Sequence, residues 1–261
     1  MSRLPIDLAA ARILVTNDDG INAPGLKVLE RIARSLSRDV WIVAPEMEQS
    51  AAAHSLTLRR PLQVRRISNR RFAVDGTPTD CVLLAVNHII KRRRPDLVLS
   101  GVNRGGNLGE DVTYSGTIAA AMEATLLDIP AIAMSQVREH GGHPVKWHTA
   151  ETHGPDVVRR LVSMKWPPGV LMNVNFPNVA AAAVVGARVV RQGRREGGIA
   201  VVEASDPVGR PYLWIGDFSS DSSVDPDTDL AAVMGGEIAV TPLHLDLTHD
   251  ATRRELQKAF S

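Results

Sequence analysis

Two adjacent aspartates, Asp18 and Asp19, follow a short apolar run at Ile13–Thr16. Carboxylates beside each other repel unless a cation or bound protons compensate their charge. Neighbouring side chains on a strand point to opposite faces, so the two can converge only where the backbone leaves strand geometry, which Gly20 allows. A helix cap or an Asx turn would explain one aspartate but explains two poorly. The pair therefore predicts a hard divalent cation at the C-terminal end of a parallel strand.

A polar loop, residues 46–55, follows the second predicted strand and contains Ser50 and His54. Because the first two strands of a doubly wound sheet are neighbours, the Ser50 hydroxyl would lie across from the aspartates, where it could bind a cation or a phosphate. His54 could donate to a phosphate oxygen or act as an acid. Taken alone, the segment is more typical of an ordinary polar loop, with Ser50 as a helix cap and His54 as a satisfied polar residue.

A glycine-rich segment, residues 100–118, is the second strong signal. Its glycines at 101, 105, 106 and 109 let the backbone approach a ligand closely. Asn103 and Asn107 supply neutral carbonyl and amide groups, and Ser115-Gly116-Thr117 opens an alanine-rich helix, whose free N–H groups favour an anion such as phosphate. The spacing fits neither the dinucleotide fingerprint nor the lysine-bearing P-loop. The alternative is a tight loop followed by a capped helix.

The candidate ligands are all oxygen atoms, which favours Mg²⁺ or Mn²⁺ over Zn²⁺. Histidines at positions 140, 143, 148 and 153 form a loose cluster whose spacing does not define a zinc site. The chain has no G-x-S-x-G elbow, and its one cysteine, Cys81, lacks the sequence context of a nucleophile.

The elements that must position these residues alternate between strand-like and helix-like segments. The predicted strands are Arg12–Thr16, Val40–Val43, Asp96–Ser100 and Ala131–Ser135, with a hairpin of Leu56–Arg66 and Arg71–Asp75. The predicted helices are about Pro24–Ser37, one capped by Thr77-Pro78-Thr79, and about Gly116–Leu127. Strands joined by helical crossovers predict a doubly wound, mostly parallel α/β sheet, and such sheets bind ligands outside the carboxyl ends of their strands.

From about residue 177 the pattern loosens into small or polar patches between short strand candidates. Val184–Val190 and Glu237–Thr241 are two of these candidates, and Ala251–Phe260 predicts a final helix. A tail of this kind seldom forms a core of its own. We expect it to wrap the main domain or to exchange with a second subunit.

Composition narrows the classes of partner. The 261 residues are 44 % hydrophobic, enough for one large core, and the formal net charge of +1 gives no field that would attract a nucleic-acid polymer. No apolar run approaches the roughly 20 residues that span a bilayer. A single cysteine and an N-terminus without a secretory apolar core lead us to expect a cytoplasmic protein with no membrane partner.

Together these segments resemble the SurE family of survival-protein nucleotidases, over about residues 12–248. The resemblance is carried by ILVTNDDGINAPG, VAPEMEQSAAAHS, VDGTPTDCV, SGVNRGGNLGEDVTYSGTIAAAMEA and VTPLHLDLT. It implies a metal-dependent phosphatase that releases phosphate from nucleoside 5′-monophosphates, with 3′-monophosphates and short polyphosphate as further candidate substrates. It also implies a Rossmann-like single domain, residues 1–261, with a core at about 12–176 and an extension at about 177–261 that is exchanged between subunits of a homodimer or homotetramer.

The resemblance also implies roles for individual residues. One divalent cation per subunit, Mg²⁺ or Mn²⁺, would be bound by Asp18, Asp19, Ser50 and Asn103. The phosphate would be contacted by Asn107, Ser115, Gly116 and Thr117. One departure lies in the tail, where Gly236 is followed by Glu237 instead of the family's usual aromatic residue.

The mechanism that follows is an in-line attack of water on phosphorus, with Asp18 or Asp19 accepting the proton. A covalent aspartyl-phosphate is the rival chemistry, but the adjacent aspartates do not have the D-x-D spacing expected for it. Two other functions would also account for the aspartate pair and the helix start. One is a sensor that binds metal and nucleotide without turnover, and the other is a nucleotide-sugar transferase.

Overall fold

Nine strands form one sheet in the computed structural model, which describes residues 5–138, 144–195, 199–218 and 225–261. The strands of this sheet are β1 (Arg12–Thr16), β2 (Asp39–Pro45), β3 (Val64–Ser68), β4 (Arg71–Val74), β5 (Leu97–Arg104), β6 (Ala131–Gln136), β7 (Val170–Phe176), β8 (Gly186–Val189) and β11 (Glu237–His244). Their order across the sheet is β3-β4-β2-β1-β5-β6-β7-β11-β8. β9 (Ile199–Ser205) and β10 (Pro211–Phe218) form a separate antiparallel pair.

Six neighbouring strands, in the order β4-β2-β1-β5-β6-β7, are parallel, so their carboxyl ends lie at one edge of the sheet. β1 lies at the centre, where Val15 pairs with Ile42 of β2 and with Leu99 of β5. The ends of these three strands therefore come together. The prediction of a mostly parallel α/β sheet, with Asp18, Ser50 and Asn103 at the same edge, is confirmed.

Four of the helices cover the two faces of the sheet. The helices are α1 (Pro24–Leu36), α2 (Pro78–Leu84), α3 (Asp111–Tyr114), α4 (Gly116–Leu126), α5 (Trp147–Val162), α6 (Asp229–Met234) and α7 (Asp250–Ala259). The apolar sides of α1 and α5 pack on one face, and those of α2 and α4 pack on the other. α2 begins with the predicted cap, in which Thr77 and Asp80 satisfy each other's backbone N–H groups.

Several elements differ from the sequence prediction. The first strand of the hairpin spans only Val64–Ser68, so its predicted start at Leu56 is wrong. The sequence did not predict β7, β9, β10, α3, α5 or α6. α5 contains Gly154 and Pro155, which argue against a helix in sequence, yet a Cβ at position 154 would come within 2.7 Å of Ile32 Cδ1, so Gly154 is what lets α5 pack closely on α1.

The tail extends the main sheet. β11 runs antiparallel to β7, and β8 adds parallel to β11 at the sheet edge. The predicted final helix is present as α7, and none of its residues is buried. The β9–β10 hairpin also exposes large apolar side chains, among them Leu213, Trp214 and Ile215. Among the described residues, no helix combines the length and apolar character that crossing a lipid bilayer requires.

Candidate metal and phosphate site

A cleft of about 1100 Å³ opens at the carboxyl ends of β1, β2 and β5. Six of the residues predicted from the sequence line it: Asp18, Asp19, Ser50, Asn103, Asn107 and Ser115. Gly116 and Thr117 lie beside it, against Asp18. Residues separated by almost one hundred positions in the chain thus form one site.

A sharp turn after β1 brings the two aspartates into this cleft. Gly20 has a φ of +99°, which a residue with a side chain rarely adopts. The Asn17 side chain donates to the Gly20 carbonyl (3.0 Å), and Ile21 N–H donates to the Pro45 carbonyl (2.8 Å). The backbone therefore leaves strand geometry at the point that the sequence predicted.

Asp18 is buried and faces the start of α4. Its Oδ1 accepts the Thr117 hydroxyl at 2.6 Å, and the Thr117 backbone N–H also stabilises its negative charge. Burial is the larger effect and raises the pKa of Asp18. The helix approaches so closely that a Cβ at Gly116 would lie 2.8 Å from Asp18 Cβ, so only glycine fits there without a shift of backbone.

Asp19 has fewer partners. Its Oδ2 accepts the Arg104 backbone N–H at 3.3 Å. Burial, followed by the negative charge of Asp18, raises the pKa of Asp19 to about 6. Two neighbouring carboxylates that both resist ionisation are the donor set that a divalent cation stabilises, so the residues fit the predicted Mg²⁺ or Mn²⁺.

The two neutral oxygen ligands differ in how they are held. The Asn103 side-chain nitrogen donates to the Gly105 carbonyl (3.1 Å), which leaves its side-chain oxygen as the atom that can bind a cation. The Ser50 hydroxyl donates to Glu48 Oε1 (2.7 Å), and both residues are exposed. Glu48 also lines the cleft and was not among the predicted residues.

The predicted phosphate contacts already have partners within the protein. The Ser115 hydroxyl accepts the Ile118 N–H (3.1 Å) and caps α4, and the Thr117 hydroxyl faces Asp18. Asn107 donates from its side chain to the Ser135 hydroxyl (2.7 Å). The role of these residues in contacting phosphate stays a prediction, but Ser115 and Thr117 also shape the site by capping the helix and orienting a carboxylate.

The histidines lie away from this chemistry. His54 pairs with the buried Glu123 (3.1 Å) and is not among the residues that line the cleft, which fits the interpretation of a satisfied polar residue. His148 and His153 lie on α5, whereas positions 140 and 143 fall outside the described residues. In the described ranges, no three or more His, Cys, Asp or Glu side chains are grouped for metal binding. The candidate site has two carboxylates, completed by neutral oxygens.

Sequence reasoning missed the residues that hold the glycine-rich loop. Asn173 and Asn175 on β7, and Asp229 at the start of α6, bond to the backbone of residues 107–109. The available signal was the N-x-N pattern inside the apolar run VLMNVNF, where polar side chains are buried at alternating positions.

Comparison with known proteins supports one family. Residues 13–198 match the family described as "Survival protein SurE". A "5'-nucleotidase SurE" from Paramagnetospirillum magneticum is 62 % identical over 254 residues, covering 97 % of each chain. A protein of the same name from Parvibaculum lavamentivorans is 55 % identical, covering 95 % of this chain and 91 % of its own. The crystal structure of the SurE protein from Aquifex aeolicus has 38 % identity and a TM-score of 0.82, covering 96 % of this chain and all of its own.

Proposed function

This chain belongs to the SurE family, and on that basis we propose that it is a metal-dependent phosphatase that hydrolyses nucleoside 5′-monophosphates to nucleoside and phosphate. Curated relatives that cover nearly the whole chain carry the name 5'-nucleotidase. The observation that carries the proposal is the Asp18–Asp19 pair, in which the buried Asp18 meets the start of α4 in a cleft large enough for a nucleotide. We include 3′-monophosphates and short polyphosphate as further candidate substrates.

In this proposal, Asp18, Asp19, Ser50 and Asn103 hold one Mg²⁺ or Mn²⁺. A divalent cation supplies charge neutralisation to the phosphoryl group and lowers the pKa of nearby water. The support for this assignment is the chemistry of the donor set, with two carboxylates whose pKa is raised in the absence of a cation.

In this proposal, side chains and backbone groups of the protein orient the carboxylates and the phosphate and accept the proton. The Thr117 hydroxyl fixes Asp18, and the Arg104 N–H fixes one oxygen of Asp19. Asp19 Oδ1 has no hydrogen-bond donor among the described residues, and we assign it as the acceptor of the proton from the attacking water. Asn107 and the start of α4 would orient the phosphate oxygens for in-line displacement of the nucleoside oxygen.

The tail supports a proposed homodimer or homotetramer. α7 has no buried residue, and the β9–β10 hairpin exposes Leu213, Trp214 and Ile215, which a second copy of the chain would cover by exchange of the extension. We place the enzyme in the cytoplasm, since its one cysteine, Cys81, is buried and unpaired.

A phosphate-release panel tests the function. Purified protein is incubated with nucleoside 5′- and 3′-monophosphates and short polyphosphate, in Mg²⁺, Mn²⁺ or a chelator. We expect release from 5′-monophosphates with metal and none with the chelator. Absence of release from every compound would overturn the proposal. Nucleotide retained without release would then indicate a sensor, and activity only with a sugar donor and acceptor would indicate a transferase.

A further inference from the structure

Side chains from distant segments bind much of the backbone of the loop that carries Asn107. Asn107 N–H donates to Asn175 Oδ1 at 2.8 Å. The Asn107 carbonyl accepts from the side chains of Asn173 (2.8 Å) and Asn175 (3.1 Å). Asn175 thus pairs with both polar backbone groups of Asn107, as a neighbouring strand would.

The opposite end of the loop is held from the tail. Asp229 Oδ2 accepts the Gly109 N–H at 3.0 Å, while its Oδ1 accepts the N–H groups of Gly193 (2.9 Å) and Leu230 (2.8 Å). The Gln192 side chain donates to the Gly109 carbonyl (2.7 Å). One carboxylate therefore ties the loop to two separate segments of the tail.

Arg195 completes this attachment. Its guanidinium donates to the Leu108 carbonyl at 3.0 Å and forms ion pairs with Glu110 and Asp111. The backbone N–H and carbonyl groups of residues 107 and 109, and the carbonyl of Leu108, are thus all bound by side chains more than 60 positions away.

The Leu108 and Gly109 carbonyls also accept local backbone N–H groups, from Asp111 (3.1 Å) and Val112 (3.4 Å), whereas both polar backbone groups of Asn107 have their partners on β7. Asn107 and Leu108 are buried, and buried backbone groups without partners cost free energy. Gly109 has a φ of +55°, and a Cβ there would lie 3.3 Å from the Gly193 carbonyl oxygen, so the turn and the tail are in close contact. Asp229 is fully buried, and its hydrogen bonds to N–H groups offset the cost of that burial.

We propose that Asp229 and Asn175 are positioning residues for phosphate transfer, which hold the loop so that the Asn107 side chain faces the phosphate. This rests on the proposed function, in which Asn107 contacts the transferring group. Neither residue lines the cleft, so each acts through the loop. Partners that orient residues in direct contact with ligand typically contribute 10- to 100-fold to activity or affinity.

The test uses three variants of the full chain. Asp229→Asn replaces one oxygen by an NH₂ group, which cannot accept an N–H. Asn175→Asp keeps the acceptor for Asn107 N–H but removes the donor to the Asn107 carbonyl. Gln192→Ala removes one bond at an exposed position and so preserves the fold. Asp225→Asn is the matched control, because Asp225 is an exposed aspartate four residues before Asp229.

We expect Asp229→Asn and Asn175→Asp to lower kcat by roughly 10- to 100-fold and Gln192→Ala by about fivefold. KM should also rise, by up to about tenfold, because Asn107 would contact the phosphate in the bound substrate as well as in the transition state. Amide hydrogen exchange at residues 107–109 should accelerate in all three variants and stay unchanged in β1 and β5. The control should match the wild type in each measurement.

Two results would overturn the inference: faster exchange in the loop with an unchanged kcat, or unchanged exchange in the loop. Calorimetry of inorganic phosphate binding in the presence of Mn²⁺ tests the positioning role separately from the proposed function. Were the wild type to release no phosphate, the nucleotidase proposal would fail. Weaker phosphate binding by Asp229→Asn would still support the positioning role, and equal binding would refute it.

Discussion

The Asp18–Asp19 pair and Asp229 place acidic side chains in two parts of the molecule, one at the end of β1 and the other at the start of α6. Asp18 and Asp229 are both buried, and burial raises the pKa of both. Asp229 accepts three backbone N–H groups, which lie on both of its oxygens. Asp18 accepts the hydroxyl and backbone N–H of Thr117 and its own backbone N–H, and it has a second carboxylate, Asp19, as its neighbour.

Burial alone therefore does not mark a cation site. A buried carboxylate with its hydrogen bonds complete, such as Asp229, joins two segments of chain and has no need of a further ligand. The Asp18–Asp19 pair instead brings two carboxylates together, and in the proposed function a divalent cation balances their charge. We therefore propose a chemical role for the first region and a positioning role for the second, and each proposal can be tested.

The largest effect is expected for Asp18→Asn. A cation contributes several kcal/mol of charge stabilisation in phosphoryl transfer, and about 1.4 kcal/mol corresponds to a tenfold change in rate. Loss of a ligand should therefore lower phosphate release by about a thousandfold or more, measured at saturating Mn²⁺. Asp156→Asn, at an exposed position of α5, is the control. A loss no greater than that of Asp229→Asn would remove the distinction between the two regions.

A smaller effect is expected for Thr117→Val, which keeps the shape of the side chain and removes the hydroxyl that Asp18 accepts. Misorientation of the carboxylate should lower kcat by roughly 10- to 100-fold. Thr125→Val is the matched control on the same helix, because Thr125 is also buried and donates its hydroxyl to the Ala121 carbonyl. Equal kcat values for the two variants would show that Thr117 serves only the helix.

The smallest effect concerns the stability of the metal-free protein. The pKa of Asp19 is raised from 3.8 to about 6 on folding, so folding favours the protonated form. Its contribution to stability is complete below about pH 4 and is lost as the pH rises through about 6. At pH 7.5 in chelator, Asp19→Asn should therefore raise the free energy of unfolding by ~1–2 kcal/mol, discounted for partial solvent access.

Denaturant unfolding with and without Mn²⁺ measures this effect. Saturating Mn²⁺ should reverse the order, because the wild type gains stability by binding the cation. Asp229→Asn should lower stability under both conditions, since it loses an acceptor of buried N–H groups. Destabilisation of the metal-free protein by Asp19→Asn would show that the negative charge of Asp19 is not unfavourable in the folded protein.

The sequence predicts the first region far better than the second. Asp18, Asp19 and Gly20 are adjacent, and the strands around them have strong apolar periodicity, so both the turn and its place at the sheet edge could be inferred. The location of Ser50 and Asn103 near the aspartates could be inferred because parallel strands align their carboxyl ends. Their assignment as cation ligands came from the resemblance to the SurE family.

The second region depends on contacts between distant segments. Asp229 reaches Gly109 across 120 positions, and nothing near it in the chain distinguishes it from an ordinary helix-starting aspartate. In the sequence, β7 is an apolar run in which nothing indicates the partners of its two asparagines. Pro155 argues against a helix, so α5 was not predicted. Side-chain bonds to a remote backbone have no periodicity, so the pattern of residues does not predict them.

The insertion of β11 beside β7 has a consequence for the order in which the protein is made. Chains emerge from the ribosome N-terminus first, so Asp18, Asp19, Asn103 and Asn107 are all synthesised before Asp229 and β11 exist. An unfinished chain can form its parallel strands, but the loop at residues 107–109 lacks its far anchor until Asp229 and β11 have been translated. If the proposed positioning role holds, catalytic competence follows only after this part of the tail is made.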